Sequence, residues 1–175
     1  MKLSEFQTKI QGGVRPNLYK VDFSFPTTAT VDNQAVSYLC KSAAIPASTV
    51  GTVELPFRGR VIKVPGDRTF ESWTATFYND VGWKLRKAFE EWVDLTNEKD
   101  ANNATKKVGE VFEDITVEQL DKFGAGDPTT IATYTLVNAF PVSVSQISLA
   151  YDNNDSYEEF DVEFAYQYFE TGYDK

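Results

Sequence analysis

The residues of this chain that could do chemistry are carboxylates, tyrosines and one cysteine, because it contains no histidine. That absence removes the commonest general base and the commonest metal ligand. The densest run of oxygen ligands surrounds DNNDS, where Asp152, Asn154, Ser156 and Glu163 fall at the first, third, fifth and twelfth positions of an EF-hand calcium loop. The sixth position is Tyr157, where a glycine must make the sharp turn, and the flanks read as strands rather than helices. A hairpin turn accounts for the run. Paired carboxylates for glycoside hydrolysis need a set separation in space, and the acidic residues are spread over polar faces as solubility alone would place them. No GxSxG elbow, P-loop, GxGxxG or CxxC motif occurs. Cys40 has no second cysteine to bridge. Asn103-Ala104-Thr105 matches a glycosylation sequon, but no secretory signal accompanies it. The expectation is a protein with no catalytic residues, no cofactor and no metal.

Composition narrows the class further. A chain of 175 residues is long enough to bury a core without disulfides or metals. Its formal net charge of −9 and pI near 4.5 argue against tight nucleic-acid binding, which needs lysines and arginines against phosphates. The start, MKLSEFQTKI, has no apolar signal core, and no run reaches bilayer length, which predicts a soluble protein made in a cytoplasm.

The elements that would carry these residues are mostly strands. Residues 57–80 alternate: Arg60, Ile62 and Val64 against Val61, Lys63 and Pro65, then Trp73, Ala75 and Phe77 against Thr74, Thr76 and Tyr78. Between them Gly66, Asp67 and Arg68 follow Pro65, and Pro-Gly-Asp predicts a structural turn. Asn79 and Asp80 stand at a helix N-cap. The helix spans 80–96, with Val81, Leu85, Ala88, Phe89, Trp92 and Val93 on one core-facing stripe. Upstream, residues 1–14 form an arm anchored by Leu3, Phe6 and Ile10, to be ordered by a partner if at all. A first strand follows Arg15-Pro16-Asn17 with Val21, Phe23 and Phe25 in phase. After a turn at Asp32-Asn33, a second strand carries Val36, Tyr38 and Cys40. Residues 43–59 predict a protruding hairpin or loop with edges that need a partner. Residues 97–128 form a variable excursion in which Val108, Val111, Phe112 and Ile115 fit a short strand or a helical turn, closing at the GAGDP turn. Three strands follow, at 131–140, 142–151 and 157–169. In the last, Phe160, Val162, Phe164, Tyr166 and Tyr168 share one face, while Asp161, Glu163, Ala165 and Gln167 share the wet, acidic one.

The segments RPNLYKV (15–21), CKSAAIP (40–46), RVIKVPGDRTFESW (60–73) and FYND (77–80), in this order and spacing, resemble the major tail tube proteins of contractile-tailed bacteriophages. GDRTF followed by a tryptophan is the most specific piece. The resemblance covers most of residues 15–95, and from about 131 it holds in pattern more than in words. It implies one tail tube domain over 1–175, a mainly antiparallel β-barrel or sandwich with one flanking α-helix, similar in fold to the type VI secretion inner tube. It also implies hexameric rings stacked into a hollow, non-enzymatic tube in the virion. Its partners would be the sheath, a baseplate tube-initiator, a tail terminator and a tape-measure protein in the lumen, with DNA passing through without tight binding.

Within that picture the protruding segment is the expected ring-to-ring contact: Ala47, Ser48, Thr49, Val50, Gly51, Thr52, Val53, Glu54 and Arg58, aided by the arm and the 97–128 excursion. Asp161, Glu163 and Gln167 are the lumen candidates, with an ordinary outer surface as the competing reading. Arg68 is expected to pair with a carboxylate, Asp67 to bond backbone. Two other functions stay open: the inner tube or tube-initiator of another contractile injection particle, and a carbohydrate-binding β-sandwich using Tyr151, Tyr157 and Tyr173 as a stacking platform.

Overall fold

In the computed structural model, residues 2–10, 13–26, 31, 33–100, 106–122 and 128–173 are described. Nine strands and three α-helices are found among them: α1 (Leu3–Ile10), β1 (Tyr19–Phe23), α2 (Asn33–Leu39), β2 (Cys40–Ser42), β3 (Ser48–Phe57), β4 (Arg60–Phe70), β5 (Trp73–Tyr78), α3 (Lys84–Thr96), β6 (Glu113–Leu120), β7 (Thr130–Val144), β8 (Glu159–Ala165) and β9 (Tyr168–Tyr173). Asp32, the Asn103-Ala104-Thr105 sequon and most of GAGDP lie outside the described residues.

Seven strands form one antiparallel sheet in the order β1-β6-β7-β8-β5-β2, with β9 also on β7. β7 holds it together. Its first half pairs with β6 and β9, its second half with β8, and the sheet bends between them. At the bend Asn138 adopts φ 53, a left-handed conformation that asparagine tolerates better than branched residues, and its N–H donates to Asp114 Oδ1 at 2.9 Å. The two halves curl into a nearly closed barrel. Strict alternation fills it: Val21 and Phe23 from β1, Trp73, Ala75 and Phe77 from β5, Ile115 and Val117 from β6, Phe160, Val162 and Phe164 from β8.

Helix α3 contributes Leu85, Ala88, Phe89 and Trp92 to that core. The Phe89 ring sits 5.1 Å from Phe77, 5.9 Å from Phe23 and 5.9 Å from Phe164, so the helix packs against strands on both sides of the bend. Trp92 is fully buried and its indole N–H reaches the Val111 carbonyl at 2.8 Å, which satisfies the one polar atom it brings inside.

Four expectations are corrected, and the open choice between a short strand and a helical turn within 97–128 resolves into both, a helical turn at Val108–Glu110 and a strand from Glu113. The helix starts at Lys84 rather than 80; Asp80 still caps it, its carboxylate accepting from the Lys84 and Leu85 N–H groups across the turn that holds Val81 in solvent. Residues 33–39 are helical, because Val36 and Cys40 are as compatible with a helix repeat as with a strand and Tyr38 points to water. Gly66, Asp67 and Arg68 make no turn but lie within β4. The 97–128 excursion contains β6, whose Ile115 and Val117 are core. Finally, 130–144 is a single strand, 145–158 is irregular, and the run through Tyr168 breaks after Ala165 so that β9 can return along β7.

Candidate assembly surfaces

The protruding segment is larger than expected. β3 and β4 pair with each other alone, as a separate two-stranded sheet. Their turn is Arg58-Gly59, with φ 46 and 81, the paired positive values of a tight hairpin turn whose twist suits the flanking strands. Val50 faces Arg68 and Thr52 faces Pro65, so Gly66 and Asp67 together oppose Gly51 in a β-bulge. There a Cβ on Gly66 would come within 3.2 Å of the Gly51 backbone, which explains the glycine. Pro65 is tolerated because neither strand has a second neighbour to supply.

This hairpin buries neither face. Val50, Val53, Leu55, Phe57, Val61 and Ile62 are all solvent-exposed, and both edges are unpaired. It is attached only at its root. Phe70 packs on Tyr166 and Phe169 at 5.9 and 5.6 Å, and the Trp73 indole N–H donates to the Ala44 carbonyl at 2.6 Å. Ser48, Thr49, Val50, Gly51, Thr52, Val53 and Glu54 thus lie on β3, Ala47 sits at the root and Arg58 at the tip. Neither Asp67 nor Arg68 makes a side-chain hydrogen bond or ion pair with the other described residues; Glu54 pairs with Lys63 at 3.4 Å. Sequence reasoning read 60–65 as a strand but turned it back at Pro65-Gly66-Asp67, and so missed its continuation to Phe70 and its pairing with β3. The signal was present in Arg58-Gly59, which separates two β-branched runs.

The opposite end of the barrel is built differently. β5 runs from Trp73, next to the hairpin root, to Tyr78, and its register with β8 places Tyr78 beside Glu159. The loops 79–83 and 145–158 therefore meet at the far end. Asn79 bonds the Glu158 backbone and carboxylate, and the Tyr157 ring sits 6.4 Å from Tyr78. Within the 145–158 loop and the start of β8 lies a groove of about 440 Å³ lined by Ile147, Leu149, Tyr157, Glu158 and Glu159 among others. Leu149 in its lining is exposed, as are Tyr151 in the same loop and Val81 in the 79–83 loop. Tyr173 is not part of this end. It pairs with Ala132 at the start of β7 and shares a 3.3 Å hydroxyl contact with Tyr134, so the three tyrosines form no common platform.

The outer face of β5 and β8 is polar. Thr76 Oγ1 donates to Asp161 at 2.7 Å, and Glu163 accepts from Ser72 and Ser143. At its edge Lys41 binds Glu159, which pushes the lysine pKa up. Gln167 does not belong to that row; it lies past the end of β8 and its N–H donates to Val137. Cys40, beneath the same sheet, is held protonated: burial pushes its thiol from an ordinary 9.0 to about 12, opposed by hydrogen bonds with Tyr19 and Ser42. Among the described residues no group of His, Cys, Asp and Glu is arranged to hold a metal, and no helix is long and apolar enough to cross a membrane.

The described residues thus combine a freestanding hairpin with an almost closed barrel. The family model for phage tail tube proteins matches residues 14–172. The chain belongs to the phage tail tube protein family. The tail tube protein of Serratia phage KSP90 is 34% identical over 158 residues, covering 89% of this chain and 87% of that protein. Tail tube protein gp19 of Enterobacteria phage T4 is 29% identical over 156 residues, covering 89% and 90%. Among solved structures, a chain in the sheath–tube complex of an extracellular contractile injection system, PVC, in the extended state superposes with a TM-score of 0.62 over 99% of both chains at 15% identity. That likeness shows a shared fold. This tail tube protein is a structural component of the virion tail rather than an enzyme.

Proposed function

We propose that six copies of this tail tube protein close into a ring and that rings stack into the hollow inner tube of a contractile phage tail. The observation that carries this reading is the β3–β4 hairpin: a two-stranded, apolar, unpaired element on a well-packed body has no stability of its own to explain it. In an assembly its edges and apolar side chains are covered by other copies. Residues 47–54 and Arg58 serve as ring-to-ring contacts together with β4, which shares their hairpin. Helix α1 presents Leu3, Phe6 and Ile10 on one exposed face and adds a second contact with a neighbouring copy.

The β5–β8 outer face, with Asp161 and Glu163, lines the lumen. Its hydroxyls and carboxylates are bonded to one another, so it offers a passing polyanion a hydrated surface with few cations. Gln167 borders this face at its hairpin end. The tape-measure protein and then the genome occupy that lumen, the sheath surrounds the tube, and a baseplate initiator and a terminator close its ends. The shared fold with the PVC sheath–tube chain supports a neighbouring reading, the inner tube or initiator of another contractile injection particle.

The test joins Ser48 directly to Phe70 through a two-residue turn, removing 49–69. These residues are cross-strand partners at the root, so closure is undemanding. Electron microscopy and light scattering should show tubes from the intact chain and none from the shortened one, which keeps its melting temperature. Normal tubes from the shortened chain would overturn the reading.

A further inference from the structure

We propose that the groove walled by residues 147–159 is the receptor for the hairpin tip of a second copy of this chain, with Phe57 entering the groove and Arg58 and Arg60 meeting the acidic residues around it. The inference rests on the stacked-ring reading and deepens it by naming what covers each end.

Three observations converge. The first is polarity of shape. The hairpin leaves the barrel at the Trp73 end of β5, and the groove lies at the Tyr78 end, so one molecule presents a projection and a recess on opposite ends. A contact between unlike surfaces related by translation repeats without closing, which is what an open stack requires. The second is charge. Residues 48–70 carry Arg58, Arg60, Lys63 and Arg68 against Glu54 and Asp67, a net positive element in a chain of net charge −9. Residues 145–159 carry Asp152, Asp155, Glu158 and Glu159 and no basic residue. Lys63 is engaged with Glu54 within the hairpin, whereas Arg58 and Arg60 have no ion pair among the described residues; on the other end, Asp152 and Asp155 have none either. Opposite potentials on the two ends favour tip-to-groove contact and disfavour tip-to-tip and groove-to-groove contact.

The third is apolar fit. At about 440 Å³ the groove falls within the ~300–1,000 Å³ range of clefts that accommodate whole ligands, so it admits a phenylalanine side chain. Ile147 and Leu149 supply its apolar wall, and Tyr157 stands beside them. Phe57 is the last residue of β3, directly before the turn, and is exposed with the Arg58 guanidinium 5.5 Å over its ring. The pair enters as a unit: ring inward, cation at the rim.

The experiment exchanges charges. The variant R58E/R60E and the variant D152K/D155K should each fold with the parent melting temperature and lose tube formation at least tenfold. The chain carrying all four substitutions, whose ends are again complementary, should regain it. Normal tubes from D152K/D155K, or a folded fourfold variant that stays unassembled, would overturn the assignment of the groove. The ring-stacking reading fails separately, if removal of 49–69 leaves tubes intact. Association too weak to give tubes is read by disulfide capture at high protein concentration: F57C mixed with L149C should cross-link at least tenfold faster than F57C mixed with Y173C. Equal rates would overturn the groove assignment.

Discussion

The barrel and the hairpin are both made of β-branched and aromatic residues, yet they use them in opposite ways. In the barrel Phe23, Phe77, Phe89 and Phe164 are inside and in mutual ring contact. In the hairpin Val53, Leu55, Phe57 and Ile62 lie in water. Identical side-chain chemistry therefore stabilises the monomer in one region and contributes nothing to it in the other. The difference lies in how many faces the strands have to bury. β5 and β8 sit mid-sheet with α3 across their inner face, whereas β3 and β4 have only each other. A two-stranded ribbon is marginal alone, and the proposed contacts between copies would give its apolar content a surface to cover.

This contrast is broken most severely by moving the damage from one region to the other. Excising 49–69 should abolish assembly and leave the melting temperature of the subunit in place. Trp92→Ala should do the reverse at the level of the monomer. It removes the largest fully buried side chain and orphans the Val111 carbonyl, at a cost of about 3–5 kcal/mol read by denaturant unfolding. An unchanged unfolding midpoint for Trp92→Ala would mean that α3 is not part of the core, and the contrast between the two regions would collapse.

Legibility in the sequence follows the same division. Trp73, Ala75 and Phe77, and Phe160, Val162 and Phe164, alternate so strictly that both strands and their buried faces could be read directly. The helix stripe was equally plain from Leu85 to Trp92. Failures came where two conformations share a pattern. Val36 and Cys40 satisfy both repeats, and helix α2 leads into β2 between them. Pro65-Gly66-Asp67 has turn composition, but an unpaired ribbon tolerates a proline and places the glycine in a bulge. The assembly surfaces were half legible. The hairpin announced itself through exposed edges, while the groove is walled by residues 147–159, most of them in a stretch without regular structure whose shape no periodic pattern encodes.

A smaller effect is expected at the bend of β7. Asn138 carries φ 53 between the half-strand that pairs with β6 and the half-strand that pairs with β8. Asn138→Val puts a β-branched residue in that left-handed conformation and should cost about 1–3 kcal/mol. Asn138→Gly, which has no Cβ to strain, should stay within about 1 kcal/mol of the parent. Equal stability of the valine and glycine variants would show that the bend does not depend on this backbone conformation.

The smallest effect sharpens the comparison through a single thiol. Cys40 is buried beside Tyr19, and burial holds its pKa at about 12. At pH 8 it should therefore resist alkylation until the chain unfolds, while a cysteine placed in the hairpin as Val53→Cys should react at the rate of a free thiol. The same shift has a direction with pH. The unfolded chain ionises Cys40 near 9.0 and the folded chain near 12, so the unfolded state binds fewer protons across that window. Stability from this group is fully present below pH 9 and declines as pH rises toward 12. Cys40→Ala should flatten that part of the stability curve without changing tube formation. A Cys40 that alkylates as fast as Val53→Cys in the folded subunit would place it on an accessible surface, and the barrel would have to open there as freely as the hairpin.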